Sequence, residues 1–176
     1  MTPKRKNPDR YGMPVGAAGS MPERVDWIPA DKAIDYLASE GRLEHVDPAS
    51  TSADNMLKQA REFLTAARLA KQAILTSPAF INAYDAARQA LTAVLQAQGL
   101  RPRGGDGGHH VLFEALSPQF PSNLETVNQF DWMRQRRNDT QYPSGGPPVS
   151  LLEADDAISA AEAIIALAAG YLQYHR

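Results

Sequence analysis

Cysteine is absent from this chain. That removes disulfides, thiolate metal sites and a cysteine nucleophile together, and it suits a reducing compartment. Net charge is nearly absent too. The formal value is −2, so bulk charge does not draw the molecule to a polyanion, and any such attraction has to come from a local patch. No uninterrupted apolar run approaches the roughly 20 residues of a membrane span. The N-terminus lacks the apolar segment of a signal peptide. A cytoplasmic protein that engages no membrane is the expectation. No β-alternation of useful length occurs, which points to an all-α fold. Positive charge is missing from one long stretch: between Asn138 and His175 there is no Lys or Arg.

What remains is organised as helices. A length of 176 residues fits one domain, or one domain with a tail, and a chain of this size buries roughly 70% of its unfolded surface without staples. Residues 1–29 read as a flexible, basic, proline-rich tail: Pro3, Pro8, Pro14, Pro22 and Pro29 punctuate it, and Lys4, Arg5, Lys6 and Arg10 open it. A solvated leader is the plain reading and a nucleic-acid-contacting arm the alternative. Trp27 and Ile28 are placed to dock the tail's end onto the core.

Residues 30–52 make a short leading helix and a linker. Asp31 caps the helix and Gly41 stops it. Residues 53–176 form a bundle of four to five helices. Apolar residues at helical spacing predict a helix from about Ala53 to Leu75. Ser77-Pro78 then opens a helix that Gly99 ends near Gln98. Arg101–Gly108 (R-P-R-G-G-D-G-G) is a flexible connector, because it lacks both the Gly-Lys-Ser/Thr ending of a Walker loop and the preceding strand of a dinucleotide loop. His109 and His110 open a short helix. Ser122 with Glu125, and Ser150 with Glu153, have capping-box spacing and predict the starts of two more helices. The last runs from Leu151 to about Tyr174.

The chain is organised around Asp131–Pro143, D-W-M-R-Q-R-R-N-D-T-Q-Y-P. A helix ending here carries its most cationic turn towards the following loop, since proline disfavours helix in the residue before it. Cations suit the negative end of a helix dipole, but Arg134, Arg136 and Arg137 exceed what capping needs. Two readings of Arg137 follow. Its guanidinium holds a phosphate or a developing negative charge, or it is an ion-pair partner of Asp139 or of an acidic residue on the last helix. The turn and the acidic last helix can pair within the fold or across a dimer. His45, His109, His110, His175 and Glu114 do not add up to a zinc or iron ligand set, so neither metal nor cofactor is expected.

Two long helices, a glycine loop with histidine, a short helix, and a helix ending R-x-x-N/D-x-x-Y-P resemble the HEPN superfamily over about Ala53 to Tyr174. Arg137-Asn138 with Tyr142-Pro143, and Gly108-His109, carry the resemblance most specifically. The leading helix with Gly41-Arg42-Leu43 is similar to a leader seen in some bacterial members. Many HEPN proteins are metal-independent RNases or toxins. Their motif is an arginine, often a polar residue, then a histidine four to six residues on, and they usually dimerise so that two motifs share one cleft. Arg137 matches the arginine and Asn138 the polar residue, but Tyr142 stands where histidine belongs. Tyrosine, with a pKa of about 10, is a poor base near neutral pH. The resemblance therefore implies a degenerate motif at Arg137, Asn138 and Tyr142, with Arg134, Arg136, His109 and His110 as further binding residues. His109 or His110 supplies the missing imidazole only if the fold brings it close. The implied protein is a non-catalytic homodimer that binds RNA, a nucleotide or a protein partner. That partner is of nucleotidyltransferase or antitoxin type, in a toxin–antitoxin or defence system. A metal-independent endoribonuclease with an atypical site and a structural helical adaptor are the alternatives.

Overall fold

A computed structural model describes residues 23–48, 50–104, 108–141 and 146–175. The basic residues that open the tail, Gly105–Gly107 of the glycine loop, and Tyr142 with Pro143 lie outside the described residues.

Six α-helices follow one another: α1 Asp31–Ser39, α2 Ser50–Gln72, α3 Thr76–Ala97, α4 Gly108–Leu116, α5 Leu124–Gln141 and α6 Leu151–Tyr174. The fold is an all-α bundle, as the periodicity predicts. Helix α3 lies at its centre, against α2, α4, α5 and α6. Its alanines Ala79, Ala83, Ala86, Ala87, Ala90 and Ala93 are fully buried, as are Phe80, Tyr84 and Leu91. Small side chains on several sides let neighbouring backbones approach closely, and the core then fills with the larger residues between them. Helix α2 faces α3 with Ala53, Leu57, Ala60, Leu64 and Ala67, the spacing of one helical stripe. Helix α6 is long and apolar enough to cross a membrane by length and composition, but 61% of that stretch is buried within the fold. Its apolar surface is core.

Several local expectations are corrected. Two three-residue strands are present: β1, Leu43–His45, pairs antiparallel with β2, Leu100–Pro102. Strands this short show no alternation to detect. Gly99 turns α3 into β2 at φ 71°, and a Cβ there would sit 2.7 Å from the Val46 carbonyl oxygen. The start of the presumed connector is thus half of a sheet. Helix α1 is preceded by Ala30, which makes no side-chain cap, and Asp31 is its first helical residue. Helix α3 begins at Thr76, ahead of Ser77, again without a side-chain cap. The reason is the preceding turn: Leu75 N–H reaches Ala70 O at 2.9 Å and Ile74 N–H reaches Lys71 O at 2.8 Å, the pattern of a Schellman motif. The chain reverses so sharply that Ser77 falls inside the next helix. The capping box expected at Ser122 and Glu125 does not form. A short 3-10 turn over Pro121–Asn123 occupies that place, and Ser122 Oγ donates to Asp26 Oδ2 at 3.3 Å. The second capping box, Ser150 with Glu153, is present in full.

The segment just before α1 is bound to the bundle. The Trp27 ring stands edge-on to Tyr171 at 5.5 Å, and its Nε1–H donates to Gln119 Oε1 at 2.6 Å. Ile28 docks through its backbone, N–H to Gln119 O at 3.0 Å, while its side chain is exposed. Gly170 of α6 makes this approach feasible, since a Cβ there would meet Glu23 O at 2.4 Å.

Ile74 occupies the left-handed region at φ 59°, where a β-branched residue is strained, and its side chain is 75% exposed. Ile74→Gly should therefore raise stability by about 1 kcal/mol, read as a higher midpoint in urea with unchanged slope.

Candidate functional site

Helix α5 runs on to Gln141, so the arginines lie one turn inside the helix and are not its last turn. Successive helical residues point about 100° apart, and the three arginines meet different surroundings. Arg134 turns back on its own helix: Nε and Nη2 donate to Asp131 Oδ1 at 2.9 and 2.8 Å. Arg136 spans to α6, with Nε to Glu153 Oε1 at 2.6 Å and Nη2 to Pro147 O at 2.7 Å. Because Glu153 also accepts from the Ser150 backbone N–H at 2.8 Å, Arg136 completes the N-terminal cap of α6. Arg136 and, second, the Ser150 N–H hold the Glu153 carboxyl down at a pKa of about 2.

Arg137 is different. It follows Phe130 and Met133 on the stripe of α5 that faces the core, both of them buried. Its guanidinium carbon lies 5.1 Å from the centroid of the Tyr84 ring on α3. Its Nε is buried and has no hydrogen-bond partner among the described residues. Among those residues it makes no ion pair either, so neither Asp139 nor an acid of α6 neutralises it; the pairing with α6 belongs to Arg136.

Tyr84 joins Arg137 to a histidine. The ring is fully buried and stacks on Phe130 at 5.5 Å with an 8° tilt. Its hydroxyl lies 2.6 Å from His109 Nδ1, and the His109 ring centroid is 5.7 Å from the tyrosine's. Burial pushes the Tyr84 pKa up to about 12, so the phenol stays protonated at neutral pH. Helix α4 delivers His109 because the chain is anchored both before and after it. Arg103 N–H bonds Arg42 O at 2.9 Å, and the Arg42 guanidinium pairs with Glu114 of α4.

His110 faces another way. Its Nε2 is 3.7 Å from Glu114 Oε1 and its Nδ1 3.8 Å from Asp131 Oδ1. Both carboxylates already have arginine partners. No group of three His, Asp or Glu that could hold a metal ion occurs among the described residues. Asn138 is exposed beside Arg137, and Tyr142 lies outside the described residues. Two open grooves, about 760 and 660 Å³, run along α6 and include neither Arg137 nor His109.

Tyr84 was not singled out as a site residue by its sequence, where it reads as one more inward residue of α3. Its signal is chemical: a tyrosine buried in an alanine-rich stripe needs a partner for its hydroxyl.

The family model described as HEPN domain matches residues 53–171, a span that contains Tyr84, His109 and Arg137. No curated protein and no solved structure matches the chain.

The two neighbouring arginines should separate on substitution. Arg136→Ala strips the α6 cap of a charged partner and should cost about 1–2 kcal/mol at neutral pH, whereas Arg137→Ala, which loses a ring contact but also an unsatisfied donor, should change stability by less than about 1 kcal/mol. The Arg136 effect should also follow pH. The depressed Glu153 pKa contributes stability that is complete above the ordinary carboxylate range, about 4.3, and is lost as pH falls towards about 2. The gap between wild type and Glu153→Gln in urea denaturation should therefore narrow below about pH 4.

Proposed function

This chain belongs to the HEPN domain family, and from that premise we propose that it binds RNA or a nucleotide non-catalytically, holding phosphate oxygens at Arg137. The observation that carries this reading is the uncompensated guanidinium. A half-buried arginine without a carboxylate is unfavourable in the free protein and becomes favourable when a ligand supplies the anion. The cation–π contact with Tyr84 helps to hold the guanidinium group in place, and a planar fork matches two phosphate oxygens. Asn138, on the next position, adds a neutral polar group. A homodimer that faces two such clusters across one cleft would hold successive phosphates of a single strand. A nucleotidyltransferase-type or antitoxin partner, in a toxin–antitoxin or defence pair, would act by covering that cleft.

A second reading, a metal-independent endoribonuclease, is favoured by one observation: His109 shares Tyr84 with Arg137, so an imidazole stands near the arginine although none follows it on α5.

Fluorescence anisotropy with a single-stranded RNA oligonucleotide, and in parallel with a labelled nucleotide, tests the proposal. Arg137→Ala should weaken binding about 10-fold and flatten the log–log salt dependence by about 0.7 per lost phosphate contact. Equal binding by both proteins would sink it. RNA cleavage in EDTA that Arg137→Ala abolishes would install the nuclease instead. Light scattering should return a mass above the 19.2 kDa protomer if two clusters share a cleft.

A further inference from the structure

Arg88 stands one turn along α3 from Tyr84, and residues four apart on a helix are surface neighbours. Its side chain is half-buried and loosely held. Nε donates to Asp85 Oδ1 at 3.3 Å, longer than a usual N–H···O bond, and its two Nη groups have no partner among the described residues. Arg134, by contrast, makes two bonds to Asp131 at 2.9 and 2.8 Å.

Two helices therefore bring a cation to the same ring. Arg137 of α5 lies 5.1 Å from the Tyr84 centroid, and Arg88 approaches from α3 itself. Both charges are felt at the Tyr84 hydroxyl: burial raises its pKa to about 12, Arg137 and then Arg88 oppose the rise, and Asp85 adds to it. With Arg134 set against Asp131, Arg88 and Arg137 face one carboxylate, Asp85. In a chain of formal charge −2, this seam is a local patch of the kind a polyanion needs.

We propose that Arg88 is a second anion-binding residue of this site: its Nη groups hold one phosphate of the ligand while Arg137 holds the neighbouring one, so the seam between α3 and α5 takes a ligand with two adjacent phosphate groups. This rests on the phosphate reading of Arg137. A guanidinium fork donates to phosphate oxygens in pairs, and one long bond to Asp85 is easily exchanged for them. The Asp85 carboxylate then stands beside the ligand as a like charge and opposes binding. A single RNA strand and a nucleoside diphosphate share the required chemistry.

Fluorescence anisotropy with a single-stranded RNA oligonucleotide, and with labelled ADP beside labelled AMP, tests the proposal and separates the two sources. Arg88→Ala should weaken the ligand about 10-fold. If that ligand is RNA, the log–log salt slope should flatten by about 0.7, the share of one phosphate contact on a single strand, and about twice as far with Arg137→Ala added. If it is the nucleotide, ADP should bind the wild type more tightly than AMP, and Arg88→Ala should bring the two level. Arg88→Lys, which keeps the charge, should keep the salt slope. Asp85→Asn should strengthen binding about threefold, a gain that misfolding does not produce, and it decides alone if Arg88→Ala does not fold. Binding that Arg137→Ala weakens but that Arg88→Ala and Asp85→Asn leave unaltered would overturn the proposal and leave the phosphate reading standing. Binding that Arg137→Ala leaves unaltered would remove that reading, and this proposal with it.

Discussion

Close approach around α3 is the constraint on which the structure depends. Six alanines of that helix are fully buried, which lets α2 and α6 approach it closely, and dispersion between well-packed atoms adds to the burial of its larger side chains as the source of cohesion. Such a core has little room for polar groups. Tyr84 brings one into it, and the cost of burying an unpaired hydroxyl dictates that something must meet it. His109 does. The bundle's packing and its candidate site are therefore consequences of one helix.

Ionic pairing divides unevenly between neighbouring side chains. Arg136 links α5 to the cap of α6, bridging the loop between them, and Arg134 is held by Asp131 on its own helix. Both charges are compensated inside the protomer. Arg137 is anchored by an aromatic face instead. A ring quadrupole attracts a cation without neutralising it, so the guanidinium keeps its affinity for an anion. Of the three arginines, Arg137 is the one without a carboxylate among the described residues, and the phosphate reading proposed above rests on that difference.

The leading segment contributes to the same site from a distance. Strand β1 clips onto β2, Arg42 grips Glu114, and α1 lies against α4. These contacts fix the helix that begins with Gly108 and His109. The segment before α1 crosses α6 at Gly170 and ends at Gln119, whose buried amide accepts from Trp27 and Gln98 and donates to Ala115 O. A buried amide that makes three hydrogen bonds at such a junction ties the segments together.

Helix number, order and most of the inward faces were legible in the residues, because each long helix has to show an apolar stripe of period 3.6 and that stripe is written locally; Ile74, expected on the α2 stripe, lies beyond the helix end and is exposed. The Ser150–Glu153 cap was legible for the same reason, because its partners lie within one turn, and the arginine cluster was legible because its members adjoin one another in the chain. The caps at Asp31, Ser77 and Ser122 misled, because other backbone geometry took the places their side chains were expected to fill. The two strands were invisible because three residues carry no usable alternation, and their pairing joins segments more than fifty residues apart. The sequence by itself determined that three arginines gather near the end of one helix and that no histidine follows them on that helix. Only the tertiary structure decided which arginine finds a carboxylate and which lies on a tyrosine. That choice depends on how α5 is rotated against α3 and α6, where one residue is worth about 100°, and on an α4 that brings His109 to the same ring from another part of the chain.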